Sequence, residues 1–349
     1  MSSAAQHSGP FTLHFSPFTF VPPPARIYRG TLPNLSRLAR RLRAGELVAV
    51  PTETVYGLAA HALDARACRK IFTAKRRPSH DPLIVHIHSF AQLREVAEVN
   101  DAALRLAKKF WPGPLTIVLP KKSIVPAVVS AGLPSVAVRM PSHPLFRRLL
   151  KLCGVPLAAP SANPFGYVSP TTAEHVRAGL GKRIRHILDG GPCTIGLEST
   201  IVDLRDPKKP RLLRPGAVTR AELERTLGRR VQLVHSSANT AAQLAPGLLA
   251  RHYSPQTPVT LHARMSRARA ARSPASEAWI FVGRPRGLTG ANIFWLDERG
   301  GLTGAARRLF RTLRKVDAHG FDRIHAELAR GGGLAPAIND RLKRAASRG

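Results

Sequence analysis

Short apolar runs alternate with amphipathic helical patterns along most of this chain. Leu35, Leu38 and Leu42 recur at helical spacing, and the apolar run Leu47–Val50 that follows is closed by Pro51. We predict further strands at 83–86, 115–119, 136–140, 157–159, 186–188 and 200–204, and helices at 65–74, 101–110, 145–152, 171–180 and 220–227. Buried strands separated by helices are typical of an α/β sheet that is covered by helices.

The pattern divides the chain into two α/β units, as the length of 349 residues also suggests at about 150 residues per domain. We predict a first domain at 28–234 and a linker at 235–257, which is rich in Ser, Ala, Gln and Pro. The second domain is predicted at 258–349, with strands at 278–282 and 293–296 and helices near 305–316 and 336–346. Residues 1–27 lack the pattern of a signal peptide, so we predict a disordered leader and a cytoplasmic protein.

The composition limits the partners. Lys and Arg total 54 against 21 Asp and Glu, a net charge of +33, and residues 258–349 carry +11 of it (18 basic against 7 acidic residues), so the charge is spread along the chain. This favours salt-sensitive contact with polyanions such as RNA and attraction of anionic substrates, although an Arg-rich proteome is an alternative explanation.

No run approaches the ~20 apolar residues of a membrane helix, so no membrane contact is predicted. Cys68, Cys153 and Cys193 lie too far apart to indicate a disulfide framework or a zinc site.

Polar and basic side chains follow several predicted strands. Thr52 and Thr54 lie just after the strand that ends at Val50, at a strand end where open α/β sheets bind ligands. Lys75 and Arg77 are two residues apart immediately before a proline. In an extended segment their side chains would point the same way and could clamp a phosphate, and a solvated basic turn is the alternative.

Arg139 ends an apolar strand, where an unpaired guanidinium is costly. Its partner is either a buried Asp or Glu or an anionic group of a ligand, and the residues leave both open. Ser161 and Asn163 follow the strand at 157–159. The common signatures for ATP, dinucleotides and metalloproteases are absent, as is a covalent nucleophile set. The residues by themselves therefore predict an anionic small ligand and do not name the reaction.

A series of blocks in fixed order adds a family resemblance. They are PTETVYGL (51–58), KRRP (75–78), PLIVHI (82–87), FWPGPLT (110–116), SVAVRMP (135–141), AAPSAN (158–163), SPT (169–171), LEST (197–200) and LLRPG (212–216). Together they resemble the YrdC/TsaC family of threonylcarbamoyl-AMP synthases. APG at 245–247 and HYSP at 252–255 resemble the linker of its long two-domain branch. The resemblance implies a YrdC-like twisted, open, mixed sheet with helices and a smaller C-terminal Rossmann-like α/β domain.

The same resemblance implies an L-threonylcarbamoyladenylate synthase, a nucleotidyltransferase. Such an enzyme condenses L-threonine, bicarbonate and ATP to threonylcarbamoyl-AMP and pyrophosphate, with Mg²⁺ on the ATP phosphates. A downstream threonylcarbamoyl transferase then modifies a tRNA adenosine next to the anticodon, and direct tRNA contact by this chain stays open. The alternatives are a non-catalytic double-stranded RNA-binding protein and another carbamoyl-transferring enzyme.

Residue roles follow from the resemblance, position by position. The implied catalytic set is Lys75, Arg77, Ser161 and Asn163. The implied threonine contacts are Thr54, His86, Arg139, the backbone of Ala159, and Ser199. The implied nucleotide contacts are Arg77, Asp81, Ser135, Ser161, Ser169, Arg214 and Tyr253. Many members have Asn at the position of Asp81, which we expect beside the metal, and we expect residues 245–255 to cover the site as a lid.

Overall fold

The structure is a computed structural model that describes residues 25–234 and 253–347. The predicted leader up to residue 24, and the predicted linker and lid up to residue 252, lie outside the described residues. The APG block at 245–247 is among them.

The larger domain is built on one mixed sheet with helices on its faces. Its strands are β1 (Arg26–Tyr28), β2 (Val48–Val50), β3 (Gly57–His61), β4 (Ile84–His86), β5 (Leu115–Pro120), β6 (Ser135–Arg139), β7 (Leu157–Ala158), β8 (His186–Leu188), β9 (Thr200–Asp203), β10 (Arg211–Arg214) and β11 (Gln232–Leu233). Its helices are α1 (Leu32–Arg43), α2 (Ala65–Lys75), α3 (Phe90–Val96), α4 (Asp101–Phe110), α5 (Ala127–Ser130), α6 (Pro144–Cys153), α7 (Ala173–Leu180) and α8 (Arg220–Leu227). Within the described residues, the strand order is β1-β8-β2-β3-β7-β4-β6-β5-β9-β10-β11.

The two faces of this sheet are covered differently. Val136 and Val138 of β6 face the main core, where they pack with apolar residues of α2, α4, α7 and α8. On the opposite face, α1 and α6 pack against the strands around β2, β3 and β7. Beside them, the other half of that face carries a small apolar cluster, formed by Ile84, Val118, Ala137, Ile201 and Leu213.

Strand alternation decides which polar side chains share the face of the small apolar cluster. Because successive side chains of a strand point to opposite faces, Ser135 and Arg139 lie on the same face as Ala137 between them. His86 likewise shares the face of Ile84 in β4. The sheet therefore presents Arg139 and His86 beside an apolar floor.

The smaller domain is a parallel sheet with helices. Its elements are β12 (Val259–His262), α9 (Arg267–Ala271), β13 (Glu277–Gly283), β14 (Ile293–Asp297), α10 (Leu302–Asp317), β15 (Arg323–Glu327) and α11 (Ala335–Ala346), and the strand order is β12-β15-β13-β14. All three pairings are parallel, which agrees with the predicted Rossmann-like unit. Its core continues into the larger domain through Val55, Val168 and Leu197.

One sequence prediction about the fold needs correction, and one strand was missed. Arg26–Tyr28 forms β1, which pairs in parallel with β8, so residues 26 and 27 of the predicted disordered leader belong to the sheet. β3 was not predicted, because its sequence Gly-Leu-Ala-Ala-His contains no β-branched residue. No helix within the described residues is long and apolar enough to cross a bilayer.

Candidate active site

A cavity opens over the face that carries the small apolar cluster. It is lined by Thr52, Thr54, Val55, Gly57, Arg77, Ile84, His86, Arg139, Ala159, Pro160, Ser161, Glu198, Ser199, Arg214 and Tyr253. Apart from Tyr253, which lies in the segment before β12, these residues come from the larger domain, and they include most of the positions that the sequence nominated. The cavity is therefore the candidate active site.

Arg139 is held by the loop between β2 and β3. Its Nη2 atom forms an ion pair with Glu53 Oε1 at 2.7 Å, and its Nη1 atom donates to Thr54 Oγ1 at 2.9 Å. Its Nε atom donates to the carbonyl of Gly113 at 3.3 Å, in the Pro-Gly-Pro segment before β5. Of the two partners that the sequence left open, the buried carboxylate is present, and the guanidinium also lines the cavity.

The loop itself is fixed by short hydrogen bonds. Thr52 Oγ1 donates to the Val55 carbonyl at 2.6 Å and lies 2.8 Å from Thr54 Oγ1. Glu53 Oε1 also accepts from the backbone N–H of Ser142 at 3.1 Å. Burial alone would raise the pKa of Glu53, but the charge and hydrogen bond of Arg139 lower it, so the carboxylate is ionised.

His86 is neutral at physiological pH. Burial, followed by the positive charge of Arg139, lowers the pKa of His86 to about 3. Its Nδ1 atom lies 3.2 Å from the Ile84 carbonyl, and its ring centroid is 5.4 Å from that of Phe146 in α6. A neutral imidazole at the cavity wall can accept or donate a hydrogen bond without adding charge beside Arg139.

Lys75 and Arg77 do not lie in an extended segment, so that expectation is wrong. Lys75 is the last residue of α2, and Arg76 caps this helix in the left-handed conformation with φ of 53°. Lys75 Nζ is buried and donates to the carbonyls of Ser161 and Asn163 at 2.6 and 2.5 Å. Burial, followed by the charge of Arg77, lowers the pKa of Lys75 well below its ordinary value. Of these two cations, Arg77 lines the cavity and Lys75 lies behind its wall.

Arg77 is paired with Asp81. Its Nη2 atom lies 2.9 Å from Asp81 Oδ1, and Nη2 and Nε also donate to the carbonyls of Pro82 and Asp81 at 2.8 and 3.1 Å. Burial raises the pKa of Asp81, and the positive charge of Arg77 opposes that rise. In the described part of the chain, no cluster of three or more His, Cys, Asp or Glu residues could hold a metal ion. Asp81 is thus committed to Arg77, and its predicted place beside a metal stays a prediction.

Ser199 and Arg214 form a second polar group in the lining. Ser199 Oγ lies 2.7 Å from Thr116 Oγ1 in β5 and accepts from Arg214 Nη2 at 3.2 Å. Arg214 Nε donates to the Ser199 carbonyl at 3.1 Å. Burial lowers the pKa of Arg214. These contacts place a third guanidinium on the cavity, in addition to those of Arg77 and Arg139.

Three further nominated residues do not line the cavity. Ser169 Oγ donates to Glu198 Oε1 at 2.5 Å. Asn163 Nδ2 donates to the carbonyls of Pro164 and Tyr167, both at 2.8 Å. Ser135 is buried at the start of β6, at the end of the strand opposite Arg139. Their proposed ligand contacts stay predictions.

The sequence did not nominate Glu53 and Glu198. Glu53 lies inside the PTETVYGL block and Glu198 inside the LEST block, and both carboxylates are buried. The sequence contained a signal for Glu53, because it required an anionic partner for Arg139 and a carboxylate lies within a motif of small polar residues. Glu198 lines the cavity and Glu53 supports Arg139 from behind it.

Comparison with known proteins identifies the family of this chain. A family model described as Telomere recombination (Sua5_yciO_yrdC) matches residues 40–216, and one described as Threonylcarbamoyl-AMP synthase, C-terminal domain matches residues 218–347. The threonylcarbamoyl-AMP synthase of Pyrococcus abyssi is 43% identical over 311 residues, which cover 87% of this chain and 91% of the relative. The threonylcarbamoyl-AMP synthase of Bacillus subtilis is 39% identical over 335 residues, which cover 90% and 93%.

The chain belongs to the threonylcarbamoyl-AMP synthase family.

The fold of this synthase family is confirmed as well. A crystal structure of P. abyssi Sua5 complexed with L-threonine matches with a TM-score of 0.85 at 39% identity, over 92% of this chain and 96% of that one. The predicted family, the mixed α/β fold and the assignment of the chain as an enzyme are therefore confirmed. The two family models meet between residues 216 and 218, whereas the domain boundaries predicted near residues 234 and 258 stay predictions.

Proposed function

We propose that the chain condenses L-threonine, bicarbonate and ATP to threonylcarbamoyl-AMP and pyrophosphate. The observation that carries the proposal is one cavity that brings together Arg139, which is paired with Glu53 and Thr54, and two further guanidiniums, those of Arg77 and Arg214. An amino-acid carboxylate and a polyphosphate are both anions that arginine binds well. The relatives named as threonylcarbamoyl-AMP synthases support this reading.

In the proposed threonine site, Arg139 binds the carboxylate of the amino acid. Thr54 and Ser199 supply hydroxyl groups for the threonine hydroxyl and amine, and the backbone of Ala159 borders them in the lining. The neutral ring of His86 adds a hydrogen-bonding group that does not repel a protonated amine. The complex of P. abyssi Sua5 with L-threonine supports this choice of amino acid.

The proposed chemistry needs no covalent bond to the enzyme. The threonine amine attacks the carbon of bicarbonate and forms a carbamate with loss of water. A carbamate oxygen then attacks the α-phosphorus of ATP, and the bond to the β-phosphate oxygen breaks to release pyrophosphate. Arg77 and Arg214 hold the phosphates and stabilise the charge that builds up on the leaving group, while Tyr253 borders the nucleotide. Ser161 lies in the same lining.

A divalent cation, which we propose to be Mg²⁺, would enter with ATP and neutralise phosphate charge. The carboxylate in the described cavity lining is that of Glu198, whose two oxygens bond to Ser169 and to Arg341 of α11. Asp81 is likewise engaged, with Arg77. This donor set fits a cation carried mainly by phosphate oxygens and water, as is usual for Mg²⁺, rather than one held in a protein cage.

The product defines the proposed partner and compartment. Threonylcarbamoyl-AMP is an activated acyl-type adenylate, so a downstream transferase must accept its threonylcarbamoyl group, and we propose that the final acceptor is an adenosine of tRNA. We place the reaction in the cytoplasm, where ATP and tRNA are both available. The net charge of +33 supports an additional, salt-sensitive contact with tRNA.

The test is pyrophosphate release from ATP and Mg²⁺, with threonine and bicarbonate omitted in turn. Release that requires both substrates supports the proposal, and Arg77→Ala and Arg139→Ala should then abolish most of it. The exposed Arg225 of α8 provides the control Arg225→Ala, which should retain activity. Release that ignores threonine would point to another carbamoyl chemistry. Salt-sensitive RNA binding without any release would indicate an RNA-binding protein.

A further inference from the structure

Arg341, in α11 of the smaller domain, connects that domain to the candidate site. Its Nε atom donates to Glu198 Oε2 at 2.9 Å, and its Nη1 atom donates to the Pro215 carbonyl at 2.8 Å. Its guanidinium carbon lies 5.5 Å from the centroid of the Tyr253 ring. The residue is fully buried, at 0% exposure. One side chain thus contacts three segments that contribute Glu198, Arg214 and Tyr253 to the cavity lining.

Glu198 extends this contact across the site. Its Oε2 atom accepts from Arg341, while its Oε1 atom accepts from Ser169 Oγ at 2.5 Å. Both carboxylate oxygens are therefore engaged, one with each domain. The orientation of the Glu198 side chain, and with it the wall between Ser169 and Ser199, depends on the guanidinium of Arg341.

The geometry requires an arginine and a permanent positive charge. Burial alone would lower the pKa of Arg341, but nearby Tyr253, Glu198 and Asp340 raise it above its ordinary value. Arg341 Nη1 also pairs with Asp340 Oδ2 at 2.8 Å, so the planar fork serves several acceptors in different directions. A lysine ammonium in the same place could not reach Glu198, Pro215 and Asp340 together.

We propose that Arg341 is a positioning residue for the nucleotide half of the site. It fixes Glu198, the Pro215 carbonyl next to Arg214, and Tyr253. Because Arg341 belongs to the smaller domain, that domain forms part of the active site. The proposal rests on the proposed function, because it assigns these three lining residues to the nucleotide. Arg139 and Thr54 lie in the other half and make no contact with Arg341 in the described residues.

The experiment compares Arg341→Lys with Lys343→Met, a control on the exposed side of the same helix. Binding of ATP is titrated calorimetrically on the full chain, and KM for ATP, KM for threonine and kcat are measured by pyrophosphate release. We expect Arg341→Lys to raise Kd and KM for ATP by about tenfold or more, with KM for threonine unchanged. Lys343→Met should match the wild type.

A merely structural role would give a different result. It would lower kcat through loss of active protein while leaving Kd and KM for ATP unchanged, and this outcome would overturn the proposal. If Arg341→Lys fails to fold by circular dichroism, the double variant Arg341→Met with Glu198→Gln, which buries no unpaired charge, is titrated instead with the same expectation. Failure of both to fold would make Arg341 a folding residue and would also overturn the proposal.

The titration does not depend on turnover. A wild-type chain that binds ATP but releases no threonine-dependent pyrophosphate would refute the proposed function and leave the test of Arg341 in place. A wild-type chain that binds no ATP would overturn both.

Discussion

Glu53 Oε1 lies 2.7 Å from Nη2 of Arg139, and both side chains are buried. This ion pair joins the loop after β2 to the end of β6. Since Arg139 also lines the cavity, Glu53 directs a positive charge toward the place where we propose that the carboxylate of threonine binds. The pair explains how a guanidinium can end an apolar strand without being unpaired before substrate arrives.

Glu53→Gln is expected to weaken threonine binding selectively. The substitution keeps the size of the side chain but removes the charge that faces Arg139. Hydrogen bonds to charged groups contribute about 1.5–3 kcal/mol, so KM for threonine should rise roughly 10- to 100-fold. KM for ATP should stay unchanged in the pyrophosphate-release assay. Glu95→Gln, on the exposed side of α3, is the control. An unchanged KM for threonine would show that Arg139 does not need Glu53.

His86 is expected to make the stability of the protein depend on pH below neutrality. The ring takes up a proton near pH 6.5 when unfolded but only near pH 3 when folded. The unfolded state therefore binds more protons in this window, and the free energy of unfolding falls as the pH falls, by up to about 1.4 kcal/mol per pH unit.

Urea denaturation between pH 7 and 4 checks this expectation. His86→Gln, which does not titrate, should lose less stability over this range than the wild type. His319→Gln, at an exposed position in the smaller domain, should follow the wild type. Parallel profiles for the wild type and His86→Gln would contradict the prediction.

Asp81→Asn is expected to strengthen ATP binding. Asp81 Oδ1 lies 2.9 Å from Arg77 Nη2, so Asp81 neutralises the positive charge of Arg77, which we propose binds the phosphates of ATP. Arg77 keeps its position through the carbonyls of Asp81 and Pro82, whereas Glu53 also fixes the loop at Ser142. Releasing one unit charge near a polyphosphate should therefore lower KM for ATP by up to about tenfold. The opposing hypothesis, that Asp81 lies beside the metal, predicts a higher KM and an altered Mg²⁺ dependence. A Mg²⁺ titration of Asp81→Asn against Asp322→Asn, an exposed control, separates the two. If neither quantity changes, Asp81 has neither role.

Gly196→Ala is expected to separate the two domains locally. Gly196 has φ of +79°, and an added Cβ atom would lie 2.5 Å from the Arg307 carbonyl oxygen in α10. Gly191 is the matched control, because its φ is +76° but its Cβ would meet nothing within 4 Å. The positive φ by itself costs about 1–2 kcal/mol, so Gly191→Ala should lower the free energy of unfolding by that amount.

The clash should make Gly196→Ala less stable than Gly191→Ala by thermal denaturation. It should also raise KM for ATP, because Gly196 lies two residues before Glu198. Equal losses of stability in the two variants would show that α10 moves away from the loop without cost.

Much of the larger domain could be predicted from its apolar runs. The strand at His186–Leu188 and the helices at Asp101–Phe110 and Arg220–Leu227 begin and end where the periodicity indicated. β3 could not be predicted, because its small residues carry no strand preference and it forms by pairing with β2 and β7 on either side.

The candidate site was predicted less completely, for identifiable physical reasons. The side chains of Lys75 and Arg77 diverge because Arg76 adopts a left-handed conformation, which the sequence does not indicate for a residue with a Cβ atom. Arg139 was recognised because its burial needs a partner, but the residues did not identify Glu53. The contact of Arg341 with Glu198 spans 143 positions, so no local pattern could contain it.

The 143 positions between Glu198 and Arg341 determine when, during synthesis, the active site can be completed. α11 (Ala335–Ala346) follows the whole of the larger domain in the sequence. During synthesis the larger domain can fold first, as N-terminal domains generally do, while α11 is still unmade or inside the ribosome. A nascent chain therefore first holds Glu198 without Arg341, and the cavity wall is completed only after α11 has left the ribosome.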